Sequence, residues 1–172
     1  METDILIKKA KNGDKEALVK LIMMEKGQYY KLAYVYMKNQ EEALDALEDM
    51  IVILYENIHK LKNDEAFYSW SKTILVNCCK KLLKRSKREI PIDCIENETY
   101  EEDYGNGYNR IVLEKHLLKL NERHREVIKL RYFLDMDYQS IADLLKIPLG
   151  TVKSRISIGL EKLKESLGGE FE

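Results

Sequence analysis

Between residues 44 and 61, Leu44, Leu47, Ile51, Leu54, Ile58 and Leu61 recur three or four positions apart, with no intervening Gly or Pro. That spacing lines up apolar side chains along one side of a helix. A strand cannot use it, because strand faces alternate at every second residue. A chain built on such a stripe must bury it against other helices. Only 8 Gly and 2 Pro interrupt the 172 residues, and period-two alternation is hard to find. The expected fold class is all-α.

Four helical stretches are expected in the first half. Residues 3 to 12 form a short helix, and Gly13-Asp14 opens a second that runs to about Met37. Asn39 and Glu42 have capping-box spacing and start the striped helix. Asn63-Asp64 marks the start of a fourth, which carries Phe67, Trp70, Ile74 and a basic cluster through Arg88. After it comes "EIPIDCIENETYEEDYGNGYN", with a proline, two glycines, seven acids and little periodicity, which reads as a flexible linker. Four further helices are expected over residues 111–119, 121–133, 137–145 and 149–167, with Asn121 and Asp137 at N-cap positions. The organisation is therefore two small helical domains, 1–88 and 110–172, joined by an acidic linker at 89–109.

Net charge is −1, but its distribution says more than the sum. From Ala66 to Arg88 there is no acid against seven bases, and from Glu89 to Tyr104 there are seven acids and no base. A neutral total thus hides a basic helix followed by an acidic strip.

The tail "DYQSIADLLKIPLGTVKSRISIGLEKL" has helix-turn-helix spacing. Ile141, Leu145, Ile147 and Val152 would be buried between its two helices, with small Ala142 at their crossing. Val152, Ile156, Leu160 and Leu163 cluster on one face of the second helix. Its far side presents Thr151, Ser154, Ser157 and Ile158, flanked by Lys153 and Arg155. Short hydroxyl side chains allow close approach to base edges while cations meet phosphates, which suits a DNA groove. Ile158 is apolar on that side, placed either to touch a thymine methyl or to face a neighbouring helix.

In "NDEAFYSWSKTILVNCCKKLLKRSKR" aromatics precede bases. Such a mixture can stack on unpaired bases and track a backbone. Residue by residue the plainer reading is favoured, with Phe67 and Trp70 in a core and the lysines on a solvated face, and only the helix-turn-helix downstream makes strand capture attractive.

Taken together, these stretches resemble the sigma-70 family of bacterial transcription initiation factors, in particular its small extracytoplasmic-function (ECF) group. "NQEEALDALEDMIVILYENI" looks like the family's polymerase-binding helix. "LKNDEAFYSWSKTILVNCCKKLLKR" looks like its promoter-melting segment. "LNERHREVIKLRYFLDMDYQSIADLL" and "GTVKSRISIGLEKLKE" look like its C-terminal promoter-reading domain. The resemblance implies that 1–88 binds core RNA polymerase and recognises and melts the −10 element, while 110–172 reads the −35 element. Asp45, Glu48 and Asp49 would face the clamp region of the β′ subunit, with Leu44 and Leu47 beside them, and the β flap would be a second polymerase contact. Asn63 and Asp64 would line the pocket for a flipped base of the −10 element. Phe67, Trp70, Lys72, Asn77, Lys80 and Lys81 would follow the same strand. Thr151, Lys153, Ser154, Arg155, Ser157 and Ile158 would meet the −35 duplex. Promoter DNA, core polymerase and an anti-sigma factor are the implied partners. Two positions depart from the family's pattern: Lys146 stands in the turn where glycine is common, and Ile158 where arginine is common.

The alternative is a conventional helix-turn-helix repressor or activator that binds duplex DNA alone. It would not need the striped acidic helix or the aromatic-basic one. Catalysis finds no support, since His59, His116 and His124 are scattered and no glycine-rich phosphate loop or metal-ligand cluster occurs. No cofactor or metal is expected, and melting would draw on binding energy. Cys78, Cys79 and Cys94 lack disulfide or metal spacing and read as reduced thiols. With a charged N-terminus and no apolar run near ~20 residues, no membrane insertion is expected and the location is cytoplasmic.

Overall fold

The computed structural model describes residues 1–89 and 107–168, and every regular element among them is helical. They form two compact units that divide at residue 90. Cys94 and residues 90–106 of the acidic linker lie outside the described residues.

The first unit contains α1 (Glu2–Lys11), α2 (Lys15–Met24), α3 (Lys26–Met37), α4 (Gln40–Asn57) and α5 (Phe67–Glu89). Single 3-10 turns at Ile58–Lys60 and Asp64–Ala66 connect the last two. The capping residues read from sequence do their work. The Asn39 side chain accepts from the Glu42 N–H at 3.1 Å, and Asp14 accepts from Ala17 at 3.1 Å. Helices α3, α4 and α5 pack on one another, while α1 pairs with α2 and leans on the two 3-10 turns. Ala33, Ala43 and Ala46 are fully buried and let the helices come close around Tyr29, Met50, Leu54, Phe67 and Leu75.

The helix expected from Gly13 to Met37 is in fact two, broken at Glu25. The Glu25 N–H bonds to the Ile22 carbonyl instead of reaching back to Leu21. The carbonyl of Leu21 instead accepts from the Tyr68 hydroxyl on α5, at 3.3 Å. A partner 47 residues away thus accommodates the break. Beside it, the buried Tyr29 hydroxyl lies 2.7 Å from Ser71, whose own hydroxyl donates to the Tyr68 carbonyl. Burial pushes the Tyr29 phenol well above its usual range. Cys78 and Cys79 are free and buried, and burial raises both thiols, Cys79 to about 12. Both therefore stay protonated and poorly nucleophilic.

The second unit contains α6 (Gly107–Lys119), α7 (Glu122–Tyr132), α8 (Tyr138–Leu145) and α9 (Leu149–Gly168). Asn121 caps α7 by accepting from Arg123 and His124, and Asp137 caps α8 by accepting from Ser140. Helix α9 touches the other three, and Leu117, Leu120, Ile128 and Leu163 form a core cluster. Within the helix-turn-helix, Ile141, Ala142 and Val152 are buried as expected, but Leu144 is the buried leucine while Leu145 and Ile147 are half-buried. Lys146 occupies the left-handed region at φ 55° and ψ 46°. The Ile147 N–H closes the end of α8 on the Ala142 carbonyl, and the Pro148 carbonyl accepts from the Thr151 and Val152 N–H groups of α9. The turn therefore keeps the left-handed geometry and carries the strain of a lysine in it.

Candidate nucleic-acid and partner interface

Three helix faces carry the predicted site residues. On α4 the apolar stripe expected from Leu44 to Leu61 splits in two. Ala43, Ala46, Met50 and Leu54 face the core, together with Ile58 and Leu61 beyond the helix. Leu44 and Ile51 are exposed and Leu47 is half-buried. The cause is geometric: the core line is Ala43, Ala46, Met50 and Leu54, and Leu44, Leu47 and Ile51 each follow a member of it by one residue, which turns them about 100° away. The outward face of α4 therefore combines Leu44, Ile51, Val52 (55% exposed) and Tyr55 (48%) with the exposed carboxylates Asp45, Glu48 and Asp49. Val52 and Tyr55 belong to this face although the sequence reading left them out. Their signal was apolar chemistry at one helical turn from Glu48 and Ile51.

Helix α5 sorts its candidates differently. Phe67 is fully buried, with its ring edge-on to Tyr68 at 5.2 Å. It is a core residue and cannot stack on a base, which corrects the expectation that it touches the strand. Trp70 is half-buried, and Asn77, Lys80 and Lys81 are exposed along with Lys84 and Arg85. Lys72 is half-buried and paired with Glu25 at 3.3 Å, and it also donates to Gln28 at 3.1 Å. In the loop before α5, the Asn63 side chain accepts from the Glu65 N–H, and Asp64 pairs with Lys11 at 2.8 Å. Both candidates for a base pocket thus already hold the loop in shape. Glu25, Gln28 and Lys11 were missed because each lies more than 40 residues from its partner and no local pattern marks it.

On α9 the buried line is Val152, Ile156, Gly159 and Leu163, while Leu160, expected inside, is exposed. Gly159 takes that place for a steric reason. A Cβ there would lie 2.6 Å from Cδ1 of Ile128 and 3.3 Å from Cβ of His124, so any side chain at 159 would make Ile128 shift at this approach of α7 and α9. With Val152, Ile156 and Leu163, Gly159 forms the side of α9 that is turned to the other helices. As a result Lys153, Ser154, Ser157 and Ile158 face solvent, with Thr151 and Arg155 half-buried at the margins. The Ser154 hydroxyl donates to the Thr151 carbonyl at 3.1 Å. Lys153 borders a shallow hollow shared with Arg131, Asp137, Tyr138, Gln139 and Leu149. Arg131 is held there by donating to the Met136 carbonyl and by stacking 5.4 Å from the Tyr138 ring. Hydrogen bonds from the Ser140 N–H and hydroxyl hold the Asp137 carboxyl below its usual range. Burial, with the charges of Lys162 and Arg155, lowers the His124 imidazole.

Among the described residues no cluster of His, Cys, Asp or Glu is arranged to hold a metal, and no helix is long and apolar enough to cross a membrane. Residues 21–89, which carry the α4 and α5 faces, match the family described as Sigma-70 region 2, and residues 116–165, which carry α9, match Sigma-70 region 4. The chain belongs to the sigma-70 family. Relatives agree over nearly the whole length. RNA polymerase sigma factor SigV of Bacillus subtilis is 31% identical over 168 residues, covering 94% of this chain and 98% of that protein. The ECF RNA polymerase sigma factor SigW of the same species is 28% identical, covering 94% of each. The fold is shared with CnrH, solved in complex with the cytosolic domain of CnrY, at a TM-score of 0.70 and 20% identity over 98% of this chain and 99% of that one. It is shared too with the sigma factor RpoE of Bartonella quintana, solved with the anti-sigma factor NepR, at a TM-score of 0.63 and 20% identity over 87% and 95% of the two chains. In this sigma-70 family member, the region 2 match includes residues 44–49 and 63–81, and the region 4 match includes residues 151–158.

Proposed function

We propose that this sigma factor directs RNA polymerase to promoters through chemically distinct helix faces: α4 for core polymerase, and α5 and α9 for DNA. The observation that carries the reading is the outward face of α4, where Leu44, Ile51, Val52 and Tyr55 are exposed beside Asp45, Glu48 and Asp49. Exposed apolar area bordered by one sign of charge suits a protein partner with apolar and basic groups. The clamp region of β′ is that partner in this reading.

Segment 1–88 would bind polymerase and open the −10 element, and 110–172 would read the −35 element and meet the β flap. Residues 89–109 would join the two. Asn77, Lys80 and Lys81 supply polar and cationic contacts for the displaced strand, and Trp70 a stacking edge. Asn63 and Asp64 shape the adjoining loop. On α9, Lys153 and Arg155, with Arg131 across the hollow, meet phosphates, while Thr151, Ser154, Ser157 and Ile158 approach base edges. Extruding a base costs a few kcal/mol, which binding returns, so the chain acts without catalysing a reaction. The activity belongs in the cytoplasm. An anti-sigma factor that covers these faces would hold the protein inactive.

The test is co-elution with core RNA polymerase, comparing the wild type with the Asp45→Arg/Asp49→Arg double variant. Tight binding that the variant loses is the expected result. Absence of polymerase binding together with tight binding to duplex DNA alone would overturn the reading in favour of a conventional regulator.

A further inference from the structure

The outward face of α9 holds an apolar side chain where a groove reader usually carries hydrogen-bonding ones. Ile158 is 42% exposed and lies one position from Ser157 and one turn from Ser154, both exposed. It is not part of the buried line of this helix, which is Val152, Ile156, Gly159 and Leu163. From Gly150 to Glu161 there is no Asn or Gln, and the one arginine, Arg155, is half-buried and near enough to His124 for its charge to depress that imidazole. The Ser154 hydroxyl proton is engaged by the Thr151 carbonyl. Asn, Gln and a fully exposed arginine are therefore missing from the centre of this face, and the exposed cation Lys153 lies at its flank.

An exposed branched side chain of this kind has one complementary feature in a major groove, the C5-methyl of thymine. Isoleucine is also nearly fixed at χ1 in a helix, so little side-chain entropy is lost when it is seated. We propose that Ile158 reads a thymine methyl, so that this factor's upstream element is specified at that position by an A·T pair and not by a guanine. The proposal rests on the reading of α9 as the groove helix. It makes Ile158 a specificity-determining residue, while Lys153 contributes affinity without sequence preference.

The experiment uses full-length protein assembled with core polymerase and a promoter pool randomised over the upstream element. After the preferred element is recovered, each thymine is replaced in turn by deoxyuridine, which lacks only the methyl. At one position the replacement should weaken wild-type promoter binding by about fourfold, the worth of one buried methyl group. The Ile158→Ala protein should bind the two templates equally, and Ile158→Arg should select guanine at that position. Equal sensitivity of wild type and Ile158→Ala to every replacement would overturn the assignment. So would an Ile158→Ala protein that assembles poorly with polymerase, because Ile158 would then serve a protein contact. A pool in which no upstream element is selected, with Lys153→Ala also silent, would instead remove the groove-helix reading itself.

Discussion

Helices α4 and α9 are nearly equal in length, 18 and 20 residues, and both bury one side at helical spacing. Their free sides have opposite chemistry. The outer face of α4 shows leucine, isoleucine, valine and tyrosine among carboxylates; that of α9 shows serines and lysine around a single isoleucine. The helical period tells only that each has two sides. The proposed roles follow from side-chain size and sign: apolar bulk suits a protein contact that excludes water, whereas short hydroxyls and cations suit the polyanionic major groove.

The sharpest way to break that contrast is to charge both faces. Ile51→Glu/Val52→Glu should weaken core-polymerase binding at least about 100-fold, as expected when central apolar contacts are lost. Helicity should be unchanged, because both side chains are exposed. Ser154→Glu/Ser157→Glu should leave polymerase binding intact and abolish use of the upstream element. Equal effects of the two pairs on polymerase binding in a competition assay would erase the distinction.

The next effect concerns what holds each face in place. Gly159→Val should destabilise the second unit by about 2 kcal/mol, through overpacking against Ile128. Gly150→Ala, with open space around it, should be neutral or slightly stabilising. Trp70 is the single tryptophan and lies in the first unit, so its fluorescence should not register Gly159→Val, whereas a circular-dichroism denaturation curve should.

Smaller still is the turn. Lys146→Gly should stabilise the second unit by about 0.5–1 kcal/mol by removing the left-handed strain. Lys38, at φ 59° after α3, provides the matching site in the first unit, and Lys38→Gly should raise the midpoint seen by Trp70 fluorescence. A charge test follows. Lys153→Ala should reduce the log–log salt slope of promoter binding by about 0.9, the share of one phosphate contact.

The smallest effect is set by pH. The His124 imidazole is lowered in the folded state, chiefly by burial. At a pH well above about 6.5 it is neutral whether folded or unfolded and contributes nothing. As pH falls, the unfolded chain takes up the proton first, so stability drops until the folded value has also been passed. Urea midpoints of the second unit should fall between pH 7.5 and 5.5, and His124→Gln should flatten that part of the profile.

The sequence was most informative where structure is local. Asn39, Asn121 and Asp137 announced helix starts because a cap acts within three residues. On α9 the period placed Ser154, Ser157 and Ile158 outward, as found, but put the exposed Leu160 inside. Contacts between distant segments were not legible. Glu25 ends α2 through interactions with α5, and Phe67 turns inward because α5 packs on α3 and α4. Gly159 was hidden for a related reason: a glycine in a helix looks like a defect until the side chain of Ile128 fills the space its Cβ would need.

That last pairing also constrains how the factor can change over generations. A side chain at position 159 would push the Ile128 Cδ1 methyl aside, and trimming Ile128 first leaves a void where no side chain yet reaches. Each single step is unfavourable, and only the joint replacement restores contact. The residues on the outer face of α9 can therefore vary one at a time, whereas the packing that presents that face changes most easily when residues 128 and 159 change together.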